Sequence, residues 1–400
     1  MFNYKKMDKF DFLTIRLEQL QKAGLLRKMV CIDSAQNTLV TIAGKEKLIF
    51  CSNNYLGLAN HPRIIQAVID AVGKFGHGAA ASRLISGTMT PHTELEQTFA
   101  ELFQKESALI FPSGWMANEA VIKTIPQKND LLILDKLDHA SIIDAAKAAD
   151  ANFRTYRRGS YEKLEKLLAS KDYKRKFIVT ESIFSMDGDT ADLEELVNLK
   201  NKYNAFLIVD EAHSLGCRGT RGAGLADELG LLDHIDIIVA TMSKALGSAG
   251  GVVAANKIVT DILINQARAF IYTTSPTIAN CAAASAAIDI ITNEPQRRQR
   301  LRKNADYLRQ KLNLLGIDTA KSQSHIIPII IGKQTQTLTV SQRLYEMGFF
   351  VVAIRPPTVA PGTSRLRLSI QSEHTKQQID KLCDALNKLV IEGLIPAVRK

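Results

Sequence analysis

The sequence predicts an α/β fold, with a large, mostly parallel, doubly wound domain and a smaller α+β C-terminal domain. Three observations predict it. Strand-length apolar runs alternate with longer helical stretches through the middle of the 400-residue chain, the pattern of repeated strand–helix units. Several of these runs are near-continuous Ile, Val and Leu, as strands buried on both faces of a parallel sheet must be. The pattern changes at Asn293-Glu294-Pro295, where a basic helical stretch leads into fewer strands. The boundaries that follow are an N-terminal segment over 1–50, a large domain over 51–292 and a small domain over 293–400.

Phe10, Leu13, Leu17 and Leu20 recur in steps of three and four, which predicts an amphipathic N-terminal helix. Thr38–Val40 and Leu48–Cys51 read as a short hairpin turning at Ala43-Gly44. Ile64 to Phe75 is helical in spacing. The strand-like runs then follow: Ala108–Phe111, Leu131–Leu134, Phe177–Thr180, Phe206–Val209, Ile235–Ala240 and Gly251–Ala254. The Ala-rich Cys281–Ile291 reads as a packed helix. Beyond Pro295 come a basic helix over Arg297–Leu312, a strand over Ile326–Ile331 and a helix near Ser341–Glu346. Strands over Phe349–Ala353 and Arg365–Ser369, then a final helix over Gln377–Ile391, complete the chain.

Composition narrows the class. Hydrophobic residues are 46% and charged residues 23%, which excludes a disordered chain, a collagen and a coiled coil. Fifty-one basic against 41 acidic side chains leave a net charge of +10, which suggests an acidic partner such as nucleic acid, an anionic membrane, or an acidic carrier or cofactor. Nucleic acid would require basic residues interleaved with exposed aromatics, and aromatics are only 6%. The five cysteines are widely spaced with no C-x-x-C, which fits a reducing compartment. Met1–Leu20 lacks a signal-peptide apolar stretch, and no run approaches the roughly 20 residues of a membrane span. The expectation is a cytoplasmic protein with no membrane and no nucleic-acid partner.

In open α/β sheets, ligands gather at the carboxyl ends of the strands. Five successive runs end in polar chemistry: Ser113-Gly114-Trp115, Asp135 to Ser141 with His139, Glu181 to Gly188 with Ser185, Asp210-Glu211-Ala212-His213, and Thr241-Met242-Ser243-Lys244. That set matches the needs of pyridoxal phosphate. Lys244 offers an amine. Asp210 offers a carboxylate for the pyridine nitrogen, and His139 a ring to stack. Ser185 and His213 offer partners for the phenolic oxygen. Gly114 and Trp115 open a helix whose free N–H groups suit phosphate, with Thr241 adding a hydroxyl.

The chain resembles the α-oxoamine synthases, pyridoxal-phosphate enzymes of the aspartate-aminotransferase fold (fold type I). The resemblance runs from Asn53-Asn54-Tyr55-Leu56-Gly57 to the C-terminal helix. It is carried by Ser82 to Thr88, His139-Ala140-Ser141, Phe184 to Gly188, Asp210 to His213 and Ser243 to Gly247. It implies that Lys244 carries the cofactor and later acts as base at the substrate α-carbon, with His139 and Asp210 as its catalytic companions. It implies phosphate contacts from Gly114, Trp115 and Thr241, joined by Thr273 and Thr274 of a second subunit in a homodimer with shared active sites. It assigns substrate contacts to Arg27, Asn53, Thr358 and Arg367, the last gripping a carboxylate. Arg355 to Val359, followed by Arg365-Leu366-Arg367, is similar to the branch that condenses L-alanine with a pimeloyl thioester of CoA or acyl-carrier protein. Glycine or serine with another acyl-CoA is the alternative within the family. Trp115 stands where the family more often has Tyr or Phe, and Ala360-Pro361 departs from its usual loop.

Simpler readings compete residue by residue. Lys244 alone would be a surface lysine, and Asp210 alone a helix cap. Gly76 to Ala81 mimics a dinucleotide fingerprint, but it follows a helical stretch rather than a strand. His61, His92, His234, His325 and His374 lack metal-ligand spacing, so no metal is expected. Arg297 to Lys303 reads as a solvated helix face. A catalytically silent scaffold would not need Lys244, Asp210 and His139 together.

Overall fold

The computed structural model describes residues 8–397. Residues 1–7, part of the stretch read above for a signal peptide, lie outside them. In chain order the strands are β1 (Leu39–Ile42), β2 (Lys45–Ile49), β3 (Ser107–Phe111), β4 (Leu131–Asp135) and β5 (Asn152–Tyr156). They continue as β6 (Lys176–Glu181), β7 (Phe206–Asp210), β8 (Ile237–Thr241) and β9 (Gly251–Ala255). The last four are β10 (Ile326–Gly332), β11 (Phe349–Phe350), β12 (Ala353–Ile354) and β13 (Ser364–Ser369).

The central sheet has seven strands in the order β3-β9-β8-β7-β6-β4-β5. Neighbours from β8 through β5 run parallel, while β9 is antiparallel to both β8 and β3. The connection explains the reversal. Only residues 242–250 separate β8 from β9, too few for the crossover that a parallel neighbour requires. That short return carries Lys244 and holds it at the carboxyl end of β8. Gly247 closes the return with φ +63°, and a Cβ there would lie 2.5 Å from the Ala59 backbone nitrogen. A side chain would therefore be strained by both conformation and space.

The runs of Ile, Val and Leu are fully buried in β4 and β8, as sheet strands covered on both faces should be. Strand β5 was not anticipated. It is the sheet edge, and its first four residues, Asn152 to Thr155, alternate between exposed and partly buried. Such a strand lacks the continuous apolar signal of its neighbours. Ile178 lies in β6 with no exposed surface. Ile178→Ala is expected to cost about 2–5 kcal/mol through lost burial and a residual cavity. A urea midpoint unchanged from wild type would contradict that packing.

Two small sheets complete the fold. Strands β1 and β2 pair antiparallel through the expected Ala43-Gly44 turn, where both φ values are positive, as a tight hairpin turn demands. Strand β11 adds to β2 in parallel, and β10-β13-β12 form the other sheet. The single strand expected over Phe349–Ala353 is therefore two short strands serving different sheets. The helix expected near Ser341–Glu346 begins earlier, and spans Gln334–Glu346. The N-terminal helix spans Asp11–Lys22, but it buries no residue against this chain. Phe12, Leu13, Ile15 and Leu17 are exposed. Among the described residues, no helix is long and apolar enough to cross a membrane.

Candidate active site

Parallel pairing places the ends of β4, β6, β7 and β8 on one edge, and β3, antiparallel to β9, ends there too. Three adjoining cavities open at this edge, and Lys244 lines all three. The first, about 230 Å³, lies between Gly114, His139, Asp210 and Thr241. The second, about 280 Å³, is bounded by Asn53, Ser185, His213 and Arg367. The third, about 400 Å³, reaches from Lys244 past Asn53 and Cys51 to Phe350.

In the first cavity, Asp210 ends β7 with its carboxylate fixed. One oxygen accepts the Asn118 side-chain amide at 2.8 Å and the other accepts the Ala212 N–H at 2.9 Å. Asn118 sits inside the helix Gly114–Thr124, and it also donates to Ser141 Oγ at 3.0 Å. Ser113 caps that helix by accepting the Met116 N–H. The start of that helix lies against Thr241: a Cβ on Gly114 would sit 3.2 Å from the Thr241 Cβ. A glycine there leaves space for an anion at the helix N-terminus. Thr241 Oγ1 donates to Gly250 O and lies 2.8 Å from Ser243 Oγ.

His139 caps the next helix, and its Nδ1 accepts the Ser141 N–H. That bond assigns the ring proton to Nε2. Burial lowers the His139 pKa, opposed by the Asp210 charge, so the imidazole stays neutral. Trp115 meets it edge-on, with ring centroids 6.0 Å apart. The bulkier indole thus serves as a wall that holds the His139 ring in place.

Lys244 Nζ lies 3.0 Å from His213 Nε2. Tyr55 donates its hydroxyl hydrogen to Asn53 Oδ1, so His213 Nδ1 donates to the Tyr55 oxygen across 2.8 Å. His213 Nε2 is then left to accept from Lys244. Burial, then the charges of Lys244 and Arg367, push the His213 pKa well down. Burial pushes Lys244 down to about 8, against the carboxylates of Asp210 and Glu181. The site therefore contains an amine that gives up its proton near neutral pH.

Arg367 is 7% exposed, and its donors reach only neutral oxygens: Ser185 O, Asn53 Oδ1, Ser369 Oγ and Tyr55 OH. Among the described residues, no carboxylate pairs with it. A buried guanidinium without a counter-charge is costly, and a carboxylate ligand would relieve it.

Sequence reasoning passed over Asn118, Tyr55 and Glu181 as functional groups. Glu181 neighbours Asp210 across β6 and β7, is buried, and has one side-chain oxygen without a partner. Burial and then the Asp210 charge push its pKa up to about 8. The other anticipated residues are less central. Arg27 is exposed beside the segment that Arg355 fastens through Gly24 O and Leu26 O. Thr358 is exposed in a turn closed on Arg355 O. Thr273 and Thr274 lie outside all three cavities, with Thr274 bridging to Ser82.

Residues 45–386 match the family "Aminotransferase class I and II". The chain belongs to that family. It is 42% identical to the 8-amino-7-oxononanoate synthase of Thermoanaerobacter pseudethanolicus, over 95% of this chain and 96% of the relative. The corresponding figures for the Geobacter sulfurreducens 8-amino-7-oxononanoate synthase are 40%, 93% and 96%. Among solved structures, Sphingomonas wittichii serine palmitoyltransferase superposes with a TM-score of 0.91 at 32% identity, covering 98% of this chain and 100% of that one. The 8-amino-7-oxononanoate synthase of Francisella tularensis superposes with a TM-score of 0.76 at 29% identity, covering 87% and 99%. For this family member, the fit to pyridoxal phosphate rests on the geometry already described. The glycine-lined helix start suits the phosphate, and the anchored Asp210 carboxylate suits the pyridine nitrogen. His139 presents a neutral ring, and Lys244 a weakly basic amine.

Proposed function

We propose that this chain condenses L-alanine with a pimeloyl thioester, on CoA or acyl-carrier protein, in biotin biosynthesis. The products are 8-amino-7-oxononanoate, carbon dioxide and the free thiol, and pyridoxal phosphate is the cofactor. The observation that carries this reading is Arg367, a buried, unpaired cation beside the Lys244–His213–Tyr55 chain. It is what a site for an amino-acid carboxylate next to a proton-transferring amine requires.

When bound, pyridoxal phosphate supplies an electron sink for the α-carbon of the amino acid. Asp210 would hold the cofactor's pyridine nitrogen, and the helix start at Gly114 with Thr241 would hold its phosphate. His139 would lie beside the cofactor ring and exclude water. Arg367 orients the alanine carboxylate, with Asn53 beside it. Lys244 Nζ would hold the cofactor and, once displaced from it by the incoming amino acid, would be the base that takes the α-carbon proton. His213 accepts from that nitrogen and fixes its position, while Tyr55 ties His213 to Arg367. The proton-accepting group and the carboxylate clamp thus share one hydrogen-bonded frame.

The low Lys244 pKa has a measurable consequence. Only the neutral Lys244 amine would be able to take up the cofactor. With a pKa of about 8, the neutral fraction rises roughly tenfold between pH 7 and pH 9. Cofactor uptake by apoprotein, followed by absorbance, is expected to accelerate with pH and level off above 8. A rate still climbing tenfold per pH unit at pH 9–10 would place Lys244 in an ordinary, solvated state.

Steady-state assays with alanine, serine and glycine against graded acyl thioesters test the substrate assignment. Alanine with a pimeloyl thioester is expected to give the highest kcat/KM. Serine with a long-chain thioester is the second reading, favoured by the TM-score of 0.91 to serine palmitoyltransferase. Preference for that pair would replace the first reading.

The protein is further proposed to act as a cytoplasmic homodimer. Thr273 and Thr274 would approach the partner's phosphate site, and exposed Leu84, Ile85 and Tyr272 would be covered. A monomer at micromolar concentration with full activity would refute the shared site.

A further inference from the structure

A fourth cavity, of about 380 Å³, shares no lining residue with the three that meet at Lys244. It lies between residues 217–220, the helix Gln296–Leu314 and residues 323–325. Four arginines reach it, against two carboxylates. Arg218 pairs with Glu228 at 2.8 Å, and Arg309 pairs with Asp306. Arg298 and Arg302 have no carboxylate partner among the described residues. Arg298 is 7% exposed and is held by the carbonyls of Ile291 and Thr220. Asp227, the carboxylate whose charge acts on Arg298, is already taken by the Thr220 hydroxyl and the N–H groups of Arg221 and Ala223.

His325 also lines this cavity and is 4% exposed. The remaining wall includes Leu301, Ala305 and Pro295, which suits an apolar body rather than a bare ion. The volume falls in the small-molecule range of roughly 300–1,000 Å³.

We propose that this cavity is a second binding site, for a small organic anion held by Arg298 and Arg302 with His325 at its inner wall. Guanidinium groups recognise carboxylate and phosphate alike through paired N–H donors. The inner wall also adjoins the reaction site: the His325 ring packs on Tyr55 with centroids 4.0 Å apart.

Titration calorimetry of the cofactor-loaded enzyme with glutarate, and separately with inorganic phosphate, tests the site. Loading the enzyme first keeps phosphate out of the cofactor cradle. At least one probe is expected to bind saturably. Arg302→Ala, at an exposed position, is expected to weaken that binding at least tenfold. Arg367→Ala is expected to leave it in place, which separates it from the substrate carboxylate site. Binding lost in Arg367→Ala but kept in Arg302→Ala would overturn the proposal. So would no saturable binding of either probe, which would mean that water alone fills the cavity. Stronger glutarate than phosphate binding would assign the occupant as a carboxylate, and the reverse order as a phosphate ester.

Discussion

Lys244→Ala is expected to lower kcat by at least about 10⁴-fold while leaving the fold intact. Removing a positioned general base alone costs roughly 10²–10⁴-fold. Here the same nitrogen also holds the cofactor, so the losses compound. The side chain is not needed for packing: its head meets His213, and its stem borders three cavities. Truncation removes a cation from beside Asp210 and Glu181, and also relieves the desolvation that pushes Lys244 down to about 8. These effects oppose one another, so the melting temperature should change little. Product formation by chromatography, with circular dichroism as the fold control, checks both halves. Turnover within tenfold of wild type would remove Lys244 from the mechanism.

Much of this site was legible because parallel sheets impose a simple rule. Residues just past the strand ends converge, however far apart they lie in sequence. Lys244, Asp210, His139 and Thr241 each follow an apolar run, so reading past the runs was enough to assemble them. The rule fails for groups that reach the site from elsewhere. Asn118 lies within a helix, in Ala117-Asn118-Glu119-Ala120, and only its polarity amid buried neighbours offered a signal. Tyr55 entered only as part of the Asn53–Gly57 stretch where the resemblance begins, yet it has no exposed surface and links His213 to Arg367. Glu181 stood in plain view at the end of β6. Its role depends on its lateral neighbour Asp210, and strand order is not written in a single run. The same limit applies to β9. Its composition matches a parallel strand, and only the short return from β8 decides its direction. The N-terminal helix shows the converse. Its apolar stripe was correctly spaced, but periodicity cannot say what a stripe packs against.

Arg367→Ala is expected to reduce kcat/KM for alanine by about 30- to 4,000-fold. The range follows from the roughly 2–5 kcal/mol lost when one partner of a buried, hydrogen-bonded charge pair is truncated. Most of that loss is expected to fall on the amino acid, because two of the neutral partners of Arg367 keep a bond without it: Tyr55 still donates to Asn53 at 2.9 Å. The KM for the acyl thioester should therefore move little. Arg367→Lys is the sharper comparison. It keeps the positive charge but loses the planar fork, so it should recover only part of the deficit. A purely structural role predicts otherwise. Arg367 ties Ser185 O on the large sheet's edge to Ser369 on β13, and if that tie were its main purpose, both substrates' KM values and the melting temperature would fail together. Selective loss of alanine binding, partly rescued by lysine, assigns the carboxylate clamp; a parallel loss of both substrates and of stability assigns Arg367 to the framework instead.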